Sequence, residues 1–369
     1  MLVTVIEARP VRSLDQVRVE LPPGIVSVVG PNGVGKTNLV EALYFALTGR
    51  SFRTSDRRDL IPFGASLARA EATVRDEDAL ERRLLASVSR TEGRRHLLDG
   101  GPADPATLAR SRPPVAVFAP DRLTLIKGPP SERRAHLDGF AAARWPVRGE
   151  LRKRYGQALA QRNALLSRLA GGLAAPADLD VWDASLAEAA APLVAARDEA
   201  IAELSGPFAE AAAELGLEGG ATLEYVPRAA GSAEEIRAGL EERRERDVRM
   251  GRSTWGPHLD ELKVATATRS LRRYGSQGQQ RAALLALLFA EREVLLVARR
   301  VTPLLLLDDV MSELDPGRRE RLVRRLGDGG QALITAADEE SLPPGALATL
   351  VRMPTAALPT AALPTAAAA

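Results

Sequence analysis

The sequence predicts an α/β fold: a mixed sheet built on a strand–glycine loop–helix core, with a mostly helical second lobe carrying a short antiparallel helical arm. Three observations predict it. The apolar run from Gly24 to Val29 ends on Gly30 and passes through Pro31-Asn32-Gly33-Val34-Gly35 into Lys36-Thr37, after which Leu39, Ala42, Leu43 and Ala46 recur on one helical face. From Ser131 the pattern changes to long helical periodicity. It then returns to α/β texture, with the apolar tetrad Leu304 to Leu307 ending in Asp308-Asp309. On this pattern residues 1–118 plus 300–353 form a first lobe and 119–299 a second. The Pro-Thr-Ala-Ala-Leu repeats of 354–369 are low-complexity and have nothing large to bury, so they are expected to stay disordered.

Each element follows from local pattern. Short strands are expected at Leu2–Ile6, Val17–Leu21 and Ile25–Val29, between Arg/Asp/Pro/Gly turns. After the loop helix comes an arginine-rich stretch, Arg50 to Arg58, then strands near Ala68–Val74, Leu84–Val88 and Arg95–Leu98. A short helix around Pro105–Ala109 precedes a buried strand over 114–118. Leu151, Tyr155, Leu159, Leu165, Leu166 and Leu169 keep helical spacing, as do Trp182, Leu186, Leu193, Ile201, Leu204 and Phe208. The Gly/Ala/Pro connection over 171–177 makes these two runs a hairpin, in which Pro146, Pro192 and Pro207 should end or kink helices. The charge-balanced run Glu241 to Asp247 reads as a solvated helix face. A turn-rich stretch from Trp255 to Glu261 leads to a strand over 262–267, and the loop Tyr274 to Gln280 opens a helix reaching about Ala298. A helix around Gly317–Leu326 and a strand over Ala332–Thr335 complete the pattern.

Composition narrows the chemistry. The chain has 369 residues, 45% of them apolar and 27% charged, which suits a globular protein large enough for two lobes. With no cysteine, disulfides, thiolate catalysis and cysteine-ligated zinc are excluded. His96, His136 and His258 form no metal-spaced pair. The stretch around Leu284–Val297 is interrupted by Glu291, Arg292 and Glu293 and cannot span a bilayer, and the N-terminus lacks a basic signal region, so a cytoplasmic protein without a membrane partner is expected. Net charge is only +2, but arginine supplies nearly all the cations, and its planar fork pairs with two phosphate oxygens at once.

The glycine loop carries the most specific chemistry. Gly30, Gly33 and Gly35 let successive backbone N–H groups curl around an anion, Asn32 and Asn38 flank them, and the helix N-terminus adds its dipole. Lys36 is placed to reach the β- and γ-phosphates and Thr37 to offer a hydroxyl to Mg²⁺, so the site is expected to bind a nucleoside triphosphate, ATP. Asp308 emerges at the C-terminal end of a buried strand, where open α/β sheets bind ligands, and is expected to hold Mg²⁺ with Thr37. Asp309 is placed to orient or deprotonate an attacking water. Ser276, Gly278 and Gln279 lie at another helix N-terminus about 30 residues before that strand, a spacing that fits one long helix plus a loop.

Taken together, the stretches Gly30 to Ala42, Ser276-Gln-Gly-Gln-Gln-Arg281 and Leu307-Asp-Asp-Val-Met-Ser-Glu-Leu-Asp315 resemble the SMC-like branch of the ABC ATPases. The 272 residues separating Lys36 from Asp308 are too many for a transporter subunit and too few for a long coiled coil. That length, with Gly49-Arg-Ser-Phe-Arg-Thr54, Phe118 to Asp121, Gly128 to Asp138 and Gly256 to Glu261, resembles the RecF family of bacterial recombination mediators. The resemblance implies an ABC/SMC-type ATPase head that dimerises on ATP. Lys36, Thr37 and Asp308 of one copy and Ser276, Gly278 and Gln279 of the other would clasp each nucleotide, with Lys36 and Asp309 catalytic. It also implies binding to double-stranded DNA near gaps and junctions, and recombinase loading with RecR and RecO.

Arg50, Arg53, Arg57 and Arg58, with Arg133, Arg134, Arg152 and Arg154, are the candidate phosphate contacts. Two departures bear on turnover. No glutamine occurs between Gln16 and Gln157 to serve the glutamine loop, for which Asp121 is a weak substitute, and Thr335-Ala336-Ala337 stands where the family places a switch histidine. Asp309 is also shorter by about 1.5 Å than the glutamate usual at that position. A misplacement of about 1 Å can cost on the order of 10²-fold, so hydrolysis is expected to be slow. The alternative is an SMC-like scaffold whose ATP cycle serves protein partners; a transporter-energising role is disfavoured by the arm and by Asn38.

Overall fold

The computed structural model describes residues 1–353, apart from 77, 174, 176, 177, 218, 268 and 328. The expected disordered tail, 354–369, lies outside the described residues, as does part of the 171–177 connection. The chain forms two compact units, Met1–Ala119 together with the chain from Leu304 onward, and Pro120–Pro303.

The first unit holds two sheets. Six antiparallel strands run in the order Val17–Glu20, Leu2–Ala8, Leu67–Arg75, Glu81–Ser89, Gly93–Leu98 and Gly101–Pro102. Their alternation is plain in Leu67–Arg75, where Ala68, Ala70, Ala72 and Val74 are buried and Arg69 and Arg75 are exposed. Against the buried face packs the helix Lys36–Thr48, through Leu39, Leu43, Phe45 and Leu47. The second sheet is parallel, in the order Leu350–Arg352, Gly24–Val29, Gln331–Ala336, Leu304–Leu307 and Val115–Phe118. Its central strands are buried on both faces, which is why Leu304–Leu307 reads as an unbroken apolar run. Parallel register places Gly30, Asp308 and Thr335 at the same C-terminal edge.

The second unit is mostly helical with one small antiparallel sheet of Arg269–Ser270, Glu261–Thr266 and Ala221–Val226. Leu151–Ala170 and Leu179–Glu214 form the expected hairpin: Leu166 packs near Leu179 and Tyr155 near Leu193, so the two run antiparallel. Pro146 ends a helix as expected, since Pro130–Arg144 stops just before it. Pro192 and Pro207 do not. Both lie inside the continuous 36-residue helix Leu179–Glu214. Each proline costs about 3 kcal/mol in a helix interior. Burial of Leu193, Ile201, Leu204 and Phe208 around them, at about 1.5–3 kcal/mol each, outweighs that cost.

The run Glu241 to Asp247 departs further from expectation. It is split between helices Ala233–Glu241 and Arg244–Met250, and Asp247 is completely buried, accepting from Arg162 and from Thr254. Arg244 reaches Asp180 and Asp183. A balanced charge pattern cannot distinguish a solvated face from a buried ion-pair cluster; only the partners in the neighbouring helices decide.

Candidate nucleotide-binding site

The strand Gly24–Val29 delivers the chain to Gly30, and the helix starts at Lys36 with Gly35 as its cap residue. Gly35 has φ +105°, a conformation that demands glycine, and a Cβ there would also displace the Leu14 Cδ2 methyl, 2.8 Å away. No side chain caps the helix, which leaves its first-turn amides without intrahelical acceptors, the arrangement that receives an anion. Lys36 is buried and its Nζ donates to the Gly30 and Pro31 carbonyls at 2.6 and 3.0 Å. It lies folded over its own loop, held by neutral acceptors that a phosphate oxygen could replace.

Thr37 Oγ1 donates toward both carboxylate oxygens of Asp308, at 3.0 and 2.9 Å. Thr335 Oγ1 donates to Asp308 Oδ1 at 2.8 Å and accepts from the Asp309 backbone N–H at 2.8 Å. Burial pushes the Asp308 carboxyl above the usual carboxylate range; the Thr335 and Thr37 hydroxyls oppose that, and the neighbouring Asp309 charge adds to it. Asp309 itself sits at φ +50°, a left-handed conformation that an aspartate adopts more readily than most residues. Thr335 is the residue that sequence reasoning passed over. In the sequence its position stands out only as the place of an absent histidine, although a hydroxyl at the end of a buried strand beside an Asp-ended strand is itself a signal.

The chemistry of the donor set fits Mg²⁺. This ion takes hard oxygens in one or two protein ligands and fills the rest of its shell with water and phosphate. Thr37 and Asp308 supply one hydroxyl and one carboxylate in contact. Among the described residues no group of three or more acidic or histidine side chains forms a dedicated metal cage.

The remaining candidates fall into three groups. Asn38 donates to Ser13 Oγ at 2.8 Å and accepts from Arg53 at 3.2 Å, which ties it to the loop rather than leaving it free. Its neighbour Glu41, fully buried, is gripped in bidentate fashion by Arg12 at 3.0 Å and approached by Arg53 at 3.4 Å. In the second unit, Ser276 and Gln279 form a reciprocal capping box at the start of helix Gln277–Arg299, with Gly278 inside its first turn. Ser276 is exposed. The side chain of Asp121 lies outside the described residues.

The arginines separate clearly. Arg133 is not a surface group: it is 2% exposed, bidentate with Glu261 at 2.7 and 3.0 Å, and bonded to the Gly128 carbonyl. A guanidinium so saturated has no fork left for phosphate. Arg134 donates to the Asp260 carbonyl, Arg152 is exposed 3.7 Å from Asp138, and Arg154 is exposed. Arg58 is occupied by Asp56 in a bidentate pair and Arg53 by Asn38 and Glu41, whereas Arg50 is exposed and Arg57 donates to the Gly49 carbonyl.

Comparison with known proteins bears on this geometry. The family model described as the RecF/RecN/SMC N terminal domain matches residues 2–355. The chain is 39% identical to the DNA replication and repair protein RecF of Streptomyces avermitilis, over 94% of this chain and 96% of that one. It is 38% identical to RecF of Symbiobacterium thermophilum, over 93% of each. A solved structure of the recombination mediator protein RecF-ATP in the RecFOR pathway is similar at a TM-score of 0.84 and 26% identity, over 93% of both chains. An SMC head bound to the C-winged helix domain of ScpA is similar at a TM-score of 0.56 and 18% identity, over 93% of this chain and 92% of that one, and shares the fold. Among the described residues no helix is long and apolar enough to cross a membrane. With the family model spanning almost the whole chain and relatives this similar over nine tenths of both lengths, the chain belongs to the RecF family of DNA replication and repair proteins, an ABC-type ATPase family.

Proposed function

We propose that this protein is an ATP-dependent clamp on double-stranded DNA, closing as a homodimer near gaps and junctions and acting with RecR and RecO to load the recombinase. The observation that carries the reading is the uncapped helix start with Lys36 and Thr37 set against Asp308 and Thr335, a triphosphate site whose catalytic side is spare. Likeness to a RecF-ATP structure supports the nucleotide, and the RecF relatives support the repair role.

In this reading Lys36 exchanges its two carbonyl partners for β- and γ-phosphate oxygens, and the amides of Gly33 and of Gly35 to Asn38 line the phosphates. Mg²⁺, held by Thr37 and Asp308, would neutralise phosphate charge. Asp309, oriented through its N–H by Thr335, accepts the proton of the attacking water. Ser276, Gly278 and Gln279 of a second copy complete the site. Ser276 would break its capping bond to do so, a cost of about 0.5–2 kcal/mol that phosphate contact must offset. The short Asp309 and the missing glutamine and histidine favour slow hydrolysis as a release step. A single-turnover rate on the order of 10 s⁻¹ or faster without a partner contradicts this.

Sedimentation of the wild type and Ser276→Arg, with and without ATP and duplex DNA, tests the proposal. ATP should dimerise the wild type and tighten its DNA binding, while Ser276→Arg should bind ATP and stay monomeric. Lys36→Met should lose nucleotide affinity itself. If ATP changes neither the wild type's mass nor its DNA affinity, the clamp reading fails.

A further inference from the structure

We propose that Arg50, Arg57, Arg94 and Arg112 form one contact site for the phosphate backbone of duplex DNA at the C-terminal end of the loop helix. The inference rests on the duplex-binding reading above and names the surface that performs it in the first unit. Two of these arginines come from the loop after the helix; the other two come from a sheet edge and from the segment after the helix Pro105–Arg110.

The convergence is set by the fold. His96 Nε2 meets the Ala46 carbonyl at 3.0 Å, which fixes the strand Gly93–Leu98 over the last turn of the helix Lys36–Thr48. Gly49 permits that approach, because a Cβ at its φ of +64° would lie 3.0 Å from His96 Nδ1. Arg94 is two residues from His96 on the same strand, so it shares that face, at the rim of the sheet. Arg57 donates to the Gly49 carbonyl at 2.7 Å, and Arg112 donates to its neighbouring Pro113 carbonyl at 3.2 Å. Burial and then the charges of Arg94 and Arg50 weaken the proton affinity of Arg57. Burial, opposed by Tyr44, and the charge of Arg50 do the same for Arg112. Arg57 thus feels the charges of Arg94 and Arg50, and Arg112 that of Arg50, around the Gly49–His96 contact.

What distinguishes this cluster is the absence of its own counter-charge. The outer face of the antiparallel sheet, by contrast, largely neutralises itself. There Arg9 and Arg18 pair with Glu7, Arg69 with Glu71, and Arg75 with Glu81. Among the described residues none of Arg50, Arg57, Arg94 and Arg112 has a carboxylate partner. The helix C-terminus they surround offers roughly half a negative charge, far less than four cations need. His96 adds no charge of its own, since burial holds its pKa below the usual value. Uncompensated guanidinium forks gathered from separate elements suit a ligand with several spaced phosphates better than one small anion.

The test uses the full-length protein and a random-sequence duplex, followed by fluorescence anisotropy across a salt series with ATP present. Arg50→Gln/Arg94→Gln removes the two exposed members and leaves the half-buried pair in place. The expected result is a slope of log affinity against log salt shallower by about 1.8, and affinity lower on the order of 10–100-fold at 0.1 M salt. Affinity for a fluorescent ATP analogue should not change, and Arg58→Gln, whose arginine is already paired with Asp56, should match the wild type. A double variant with the wild-type slope, where the wild type binds duplex, overturns this site but leaves the clamp reading standing. A wild type that binds no duplex overturns both. Competition by inorganic phosphate at constant ionic strength, with the duplex slope unchanged by the double substitution, would mark a free-anion site instead and also overturn the proposal.

Discussion

The helical network and the nucleotide site treat buried charge in opposite ways. In the helical unit Arg162 is fully buried and bonded to Asp183 and Asp247 at 2.6 Å and Ser253 at 2.8 Å. Nearby, Arg197 spans Asp138 and Asp260, and Tyr225 donates to the same Asp260. Every carboxylate there meets a cation or several donors, and the network crosses from one long helix to the other. In the ATPase unit Asp308 is almost as buried, yet its partners are hydroxyls, and Lys36 rests on carbonyls. Charge that is paired internally holds a structure together, whereas charge paired only with neutral groups remains available to a ligand. The same contrast separates the self-neutralised arginines of the outer sheet face from the uncompensated cluster at Gly49.

The largest expected effect tests the structural half of that comparison. Arg162→Met should destabilise the protein by on the order of 3–5 kcal/mol, because Asp183 and Asp247 would lose the cation between them. Arg244 remains on Asp183, and Thr254 on Asp247, so the lower part of that range is expected. Chemical denaturation reads the loss, and nucleotide affinity measured well below the midpoint should be unchanged. A variant as stable as the wild type would show that the network is dispensable packing. Among the described residues Nη2 of Arg162 has no hydrogen-bond partner, an imperfection in that network.

A smaller effect tests the functional half. Thr335→Val keeps the shape but removes the hydroxyl shared by Asp308 and the Asp309 N–H, and should cost about 1–3 kcal/mol of stability. Turnover should fall with little change in nucleotide affinity, and Thr335→Ser should restore it. If valine leaves single-turnover hydrolysis intact, Thr335 does not position Asp309, and the catalytic assignment of that aspartate loses its support.

How much of this could be read in advance follows the same division. The course of the chain through the glycine loop to Lys36 and Thr37, and the strand ending at Asp308, were legible because local sequence dictates them: a strand, a left-handed glycine and a helix start are short-range events. The arm hairpin was legible from helical spacing. The continuity of Leu179–Glu214 through two prolines was not, because it depends on burial contributed by other elements. Nor was the burial of Arg133 and Asp247, since a charged residue looks alike whether its partner is water or an opposite charge more than 80 positions away. Arg12 shows the limit most clearly: nothing near it in sequence announces that it grips Glu41 of the loop helix. Arg94 and Arg112 are hidden for the same reason, being brought toward Arg57 and Arg50 respectively by sheet pairing and by the turn after a short helix.

The smallest effect, and the sharpest form of the comparison, is a pH response of opposite sign in the two units. His258 Nδ1 lies 2.7 Å from the Tyr155 hydroxyl and its Nε2 3.2 Å from the Ser253 carbonyl, contacts that the neutral ring satisfies with Nε2 donating and Nδ1 accepting. Burial holds its pKa below 6.5; the Ser253 bond opposes this, Arg134 reinforces it, and Asp260 and Asp247 oppose it. A depressed folded-state pKa means that its contribution is present above about 6.5 and is lost as pH falls through the folded value. For Asp308 the folded-state pKa is raised above 3.8, so its contribution is present below that value and is lost as pH rises through the folded one. Thermal midpoints measured from pH 4 to 8 should therefore show Asp308→Asn more stable than the wild type at neutral pH, by on the order of a few °C, with the gap closing toward acid. His258→Gln should be less stable than the wild type at neutral pH, and that deficit should also shrink toward acid, as the wild type loses what the neutral histidine supplied. The two gaps close from opposite sides. If Asp308→Asn is instead less stable at neutral pH, the buried carboxylate is a structural partner like those of the arm, and the distinction between paired and available charge does not hold at the nucleotide site.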